Sequence, residues 1–132
     1  MRSVRARRGA LGVAARHVVE VTQGEIWWAH VPAPAGSAPG FRRPVVVVQG
    51  NPLNRSGLAT VVCVRLTSNL TWEAAPGSTF LSAQVAGLPK DSVANASQLF
   101  AVDRSYLRSR IGKLAPKRLE QILASIDVVL GR

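Results

Sequence analysis

The sequence predicts a small, mainly β domain closed by a C-terminal helix. Three observations carry this. Apolar and β-branched runs of strand length stand at residues 25–29, 44–49 and 58–66, where such side chains suit a half-buried or buried strand. The stretch 32–40, Pro-Ala-Pro-Ala-Gly-Ser-Ala-Pro-Gly, can hold neither a helix nor a ladder and reads as a loop. Near the end the period changes, and Leu119, Ile122, Leu123, Ile126, Val129 and Leu130 fall on one helical face.

Taken in order, residues 1–20 are rich in Arg and Ala and differ from the rest. They read as a basic extension, disordered or lying upstream of the native start, with the folded domain at 21–132. A first strand at 25–29 follows Gly24. The loop 32–40 delivers the chain to the densest run, Val45 to Val48. Residues 50–57 are a turn region, and 58–66 a further strand. Thr67, Ser68 and Asn69 open a loop that ends near Pro76 and Gly77. Strands are expected at 79–83 and 92–100. Pro116 suits the first turn of the last helix and Gly131 its C-terminal cap. The architecture is a twisted antiparallel sheet or half-open barrel with that helix packed on it. No internal repeat is visible.

Composition removes several function classes. A chain of 132 residues with 47% hydrophobic content makes one ordinary globular domain. No apolar run approaches the roughly 18 residues of a membrane span. Cys63 cannot form an internal disulfide and sits in an apolar stretch, so it reads as a buried structural thiol, and a reducing cytoplasm fits. The formal charge is +10, and five of the 17 basic residues fall within the first 16 positions, which carry no acid. The remainder still holds 12 basic against 7 acidic residues, which suits a phosphate backbone or an acidic partner. There is no Cys/His metal cluster, the carboxylates are scattered, and no phosphate-binding glycine loop or GxSxG setting is present. His17 and His30 are too few for a paired-imidazole ribonuclease. No metal or cofactor is expected.

What remains is arginine beside hydroxyls. Gly40-Phe41-Arg42-Arg43-Pro44 ends the loop at the mouth of a buried strand, and Thr67-Ser68-Asn69 leaves another strand. Strand ends at one rim can converge on a phosphate. The residues alone leave open that Arg42 and Arg43 are solvated charges and that 67–69 is a turn. Trp27, Trp28, Phe41 and Trp72 are candidates to stack on bases. Because alternate strand residues face opposite sides, one of the adjacent tryptophans is expected in the core.

These same residues carry a family pattern. Gly24-Glu25-Ile26-Trp27-Trp28-Ala29, the segment from Gly36 through Phe41-Arg42-Arg43-Pro44 to Gln49, Asn54-Arg55, Thr67-Ser68, the stretch from Asp91 to Gln98, and the final helix occur in the order found in MazF/PemK (Kid) toxins. The chain resembles that family over about residues 23–131. The resemblance implies an SH3-like sheet with a C-terminal helix, the fold shared with the gyrase poison CcdB, assembled as a homodimer. It also implies an endoribonuclease that cuts single-stranded RNA and is inhibited by a cognate antitoxin. On this resemblance the catalytic residues are Arg43 and Thr67. Phe41, Arg42, Ser68, Asn69, Asn95, Ser97 and Gln98 lie where relatives contact RNA or complete the site. Ala38 stands where the family often has Glu, and Ser97 where several relatives carry Asp or Glu. A carboxylate base at either position is therefore missing.

RNA brings its own nucleophile in the 2′-OH. Attack on the adjacent phosphate yields a 2′,3′-cyclic phosphate and a 5′-OH end without activated water. A guanidinium is shaped to hold the charge that develops, and a threonine hydroxyl can add a donor. An already protonated guanidinium is a poor proton acceptor, so charge stabilisation is the expected role of Arg43. The competing expectation is a binding module of the same fold, for example a gyrase-targeting poison.

Overall fold

The valine run sets the centre of the molecule. Val45, Val46, Val47 and Val48 are all buried, although successive strand residues face opposite sides, so both faces of the sheet at this point are covered. The computed structural model describes residues 19–32 and 41–132; the basic extension up to residue 18, the loop 33–40 with Ala38, and the side chain of Phe41 lie outside the described residues.

Six strands form one antiparallel sheet: β1 (Glu25–Val31), β2 (Phe41–Val47), β3 (Thr60–Thr67), β4 (Ser78–Leu81), β5 (Ser92–Asp103) and β6 (Leu107–Lys113). Their spatial order is β4-β5-β3-β2-β1-β6. Two single-turn helices, α1 (Asn51–Asn54) and α2 (Ala83–Ala86), interrupt the connections, and α3 (Pro116–Val129) closes the chain. The register Ile26↔Val46 and Val46↔Val64 lines up one face, on which Ile26, Val46, Val64, Leu66 and Ala94 pack with Leu114 and with Ile122 of α3. The register Trp27↔Val45 lines up the other, where Trp27, Ala29, Val45, Val47, Val61 and Cys63 pack with Val21, Val102 and Leu107. Burial alone pushes the Cys63 thiol up to about 12, as expected of a structural cysteine.

The ends of the sheet are pinned by polar groups. Glu25 is buried beside Trp27 and accepts hydrogen bonds from Thr22 N (2.8 Å), Trp27 Nε1 (3.0 Å) and Arg110 Nε (2.7 Å). Arg104, also buried, donates to the carbonyls of Leu58 (3.0 Å) and Val19 (3.3 Å). Gln49 and Asn54 bond each other and close α1 onto the end of β2: Gln49 Nε2 donates to Asn54 Oδ1 and Asn54 Nδ2 donates to Gln49 O, both at 2.9 Å.

Four expectations need correction. The strand expected at 79–83 stops at Leu81, because Ser82 accepts a hydrogen bond from Val85 N and starts α2. The strand expected at 92–100 runs on to Asp103. The strand β6 was not expected at all. The apolar face of the last helix holds for Ile122, Leu123 and Ile126, which pack on the sheet, but Val129 and Leu130 are exposed because α3 outruns its support. The caps are as expected, with Pro116 in the first turn and Gly131 just past the end at a φ of 74°.

Candidate active site

Pro44 determines where the site opens. It has no N–H to give to a ladder. Pairing between β2 and β3 covers Val45↔Arg65, Val46↔Val64 and Val47↔Cys63, and ends there. Continued by two residues, that register sets Arg43 opposite Thr67. Here the strands part, and a cleft of about 730 Å³ lies at the rim.

Its walls come from distant parts of the sequence. β2 contributes Arg42, Arg43 and Pro44; β3 contributes Arg65, Leu66 and Thr67, followed by Ser68 and Asn69. β1 adds Trp28, the 3₁₀ turn Leu70–Ala74 adds Trp72, and the loop after α2 adds Leu88, Pro89 and Lys90. β5 closes the cleft with Ser92, Asn95 and Gln98. Among the described residues four cations line it, Arg42, Arg43, Arg65 and Lys90, and no carboxylate or imidazole does. The sequence of the undescribed loop 33–40 contains no acid or histidine either.

The individual side chains are held as follows. Arg42 and Arg43 are exposed, and Arg42 lies over the Trp28 ring with its guanidinium carbon 3.8 Å from the centroid. Thr67 is half-buried, and its hydroxyl oxygen accepts Asn69 N at 3.1 Å. Asn69 caps the 3₁₀ turn through Oδ1, which accepts from Thr71 N (3.2 Å) and Thr71 Oγ1 (2.8 Å). Asn95 is 2% exposed and fully engaged. Its amide donates to Pro76 O (3.0 Å) and Ser78 Oγ (2.8 Å), and its oxygen accepts from the backbone N–H (2.8 Å) and the hydroxyl of Ser97. Ser78 in turn donates to Trp72 O at 2.6 Å. A buried polar chain thus ties β5 to the turn that carries Trp72.

Among the candidates read from sequence, Arg43, Thr67, Arg42, Ser68, Asn69, Asn95 and Gln98 come together in the cleft. Ser97 does not line it; its hydroxyl turns back onto Asn95. Of the adjacent tryptophans, Trp27 is in the core and Trp28 lines the cleft. Arg65 and Lys90 were missed. Arg65 had a signal, since it breaks the apolar run of β3 two residues before Thr67 and so shares its face. Lys90 had none, because its nearness depends on the path of the chain after α2. Among the described residues, no three His, Cys, Asp or Glu side chains gather where they could hold a metal ion.

Known proteins resemble this chain in sequence and in fold. The family model of PemK-like, MazF-like toxins of type II toxin-antitoxin systems matches residues 22–130. A protein named Endoribonuclease MazF6 from Mycobacterium tuberculosis is 38% identical over 110 residues, which is 83% of this chain and 96% of the relative. Endoribonuclease MazF9 from the same organism is 32% identical over 104 residues, 76% of this chain and 87% of that one. Among solved structures, a MazE-MazF complex from Deinococcus radiodurans superposes with a TM-score of 0.72 at 21% identity, covering 86% of this chain and 97% of that one. At this identity the superposition shows a shared fold.

Proposed function

The chain belongs to the PemK-like, MazF-like toxins of type II toxin-antitoxin systems, and from that premise we propose that it is an endoribonuclease that cuts single-stranded RNA by attack of the 2′-OH on the neighbouring phosphate. The observation that carries this is that Arg43 and Thr67, just past the last paired residues of β2 and β3, line one cleft whose described walls carry four cations and no acid. Arg43 binds the phosphoryl oxygens as extra charge builds on them, with donors arranged in a planar fork. Thr67 supplies a hydroxyl donor beside it. Gln98, Ser68 and Asn69 offer polar groups to sugars and unstacked base edges, which is where single-stranded RNA is best read. Asn95 and Ser97 serve the cleft by holding its wall. Products are a 2′,3′-cyclic phosphate and a 5′-OH end. With no carboxylate or imidazole among the described residues of the walls, the role given to these residues is charge stabilisation rather than base catalysis.

The named relatives are endoribonucleases, and one solved neighbour is a MazE-MazF complex. By the same logic we assign this chain a cognate antitoxin with an acidic segment that competes with RNA for the cations. No helix among the described residues is long and apolar enough to cross a membrane, and we place the protein in the cytoplasm. We take residues 21–132 as the toxin domain and the preceding residues as an extension to it.

Incubation of the purified protein with a long RNA in excess chelator tests the reading. Cleavage should persist and leave cyclic phosphate ends. Activity lost to the chelator and restored by magnesium or manganese would overturn the chemistry. Intact RNA under all conditions would favour the non-catalytic alternative.

A further inference from the structure

We propose that the Arg42 guanidinium, held over the Trp28 ring, is the platform on which one base of the single-stranded substrate stacks, and that Trp28 acts through Arg42 as a positioning residue. This rests on the ribonuclease reading and adds a specificity element to its cleft.

The argument starts from register. Trp28 pairs with Pro44 and His30 with Arg42 across β1 and β2. Arg42 is therefore the diagonal neighbour of Trp28 on the same face, within reach of a long side chain. Its guanidinium carbon sits 3.8 Å above the indole centroid, the distance of a stacked cation–π contact. Trp28 is half-buried and packs against the core under α3, so the ring is a fixed base. Arg42 is exposed, and both residues line the cleft. Among the described residues, no carboxylate pairs with Arg42 and none lines the cleft to draw it away.

A guanidinium in this position is backed by the indole while the residue stays exposed to the cleft. Guanidinium planes and aromatic rings are the two kinds of surface on which proteins stack unpaired bases. Holding the plane beforehand removes much of the rotamer entropy that a free arginine loses on stacking. Neighbouring strand residues point to opposite faces, so Arg42 and Arg43 serve different parts of a nucleotide: Arg43, on the cleft wall with Thr67, takes the phosphate, and Arg42 takes the base. An ammonium would supply the charge of Arg42 without the plane.

The test measures binding of two uncleavable single strands of equal length: a 2′-O-methyl RNA of mixed sequence, and an abasic backbone with the same phosphates. The wild-type protein should prefer the base-bearing strand. Arg42→Lys should weaken that strand by about tenfold, the scale of one lost stacking contact, and leave the abasic strand nearly unchanged. Trp28→Leu should lose the same preference, Trp28→Phe should recover most of it, and Arg42→Lys with Trp28→Leu should cost little more than either alone. If Arg42→Lys binds both strands as the wild type does, Arg42 is only a point charge and the proposal fails. If Arg42→Ala tightens the base-bearing strand while Trp28→Leu weakens it, the base displaces Arg42 and stacks on the indole itself, which also overturns the proposal. A wild-type protein that binds the two strands equally has no stacking platform. Loss of the ribonuclease reading would show separately, as failure to cut unmodified RNA.

Discussion

Arg43 and Glu25 are both charged, yet their settings demand different chemistry. Arg43 is exposed and lines the cleft together with Thr67. If it holds charge that appears only in the transition state, Arg43→Ala should lower single-turnover cleavage on the order of 100- to 1,000-fold while RNA affinity falls far less. Arg43→Lys should recover part of this, since it keeps charge and loses the fork. Normal cleavage by Arg43→Ala, with circular dichroism showing a native fold, would remove the catalytic assignment. Glu25 is instead part of the frame. Its burial disfavours the charged form, but hydrogen bonds from Trp27, Arg110 and the Thr22 backbone, with the Arg110 charge, outweigh that and hold the carboxyl below its usual range. A carboxyl lowered on folding stabilises the fold above its unfolded pKa, and that stability is lost as pH falls through the folded value. Glu25→Gln should therefore lower stability at neutral pH by about 1–3 kcal/mol. Denaturant melts across pH should show the gap between variant and wild type closing below the normal carboxylate range. A gap independent of pH would mean that the loss of a hydrogen-bond acceptor, not of the charge, sets the cost.

At the level of elements, legibility followed burial. β2 and β3 could be read because nearly every residue between Val45 and Val48, and most of Val61 to Leu66, is buried and apolar. β6 could not, because it is an edge strand whose Arg108, Ser109 and Arg110 are exposed, with only Leu107 deeply buried. Such charged edges protect a sheet from pairing with other chains and erase the alternation that marks a strand. The site divides the same way. Arg43 and Thr67 were legible because each ends a recognisable strand, whereas Lys90 is brought to the cleft by a loop whose path no local pattern encodes. The engagement of Asn95 with Ser78 and Pro76 also required the three-dimensional neighbours. The helix offers a direct check on which of its apolar residues matter. Ile122 is 1% exposed and sits in the core under the sheet. Ile122→Ala should cost about 2–5 kcal/mol in chemical denaturation. A cost near zero would mean that α3 is not required to cover that face.

At the scale of the whole molecule, several large apolar residues at one edge of the sheet stand exposed among the described residues. β4 is one edge of the sheet, and its Phe80 is 37% exposed. The 3₁₀ turn before it exposes Leu70 at 43%, and the end of α3 exposes Val128 at 74% and Leu130 at 58%. α3 and the 3₁₀ turn both contact β4, so these exposed residues sit on elements around one edge of the sheet. Val129 reaches this edge too, close to Gly77, where an added Cβ would stand 3.4 Å from Val129 Cγ2. A small domain with a thin core gains much from covering such a surface, and a second copy is the simplest cover because the same flank then serves both partners. Sedimentation at micromolar concentration should give about twice the chain mass of 14.1 kDa. Val128→Asp places a charge on the most exposed of these apolar residues, where the isolated fold has little to lose, since surface changes cost about 0.5 kcal/mol or less. It should therefore shift the mass toward that of one chain while circular dichroism stays native. A wild-type protein that sediments as a single chain and still cuts RNA would show that one copy suffices. A Val128→Asp protein that remains paired would move the interface to another face.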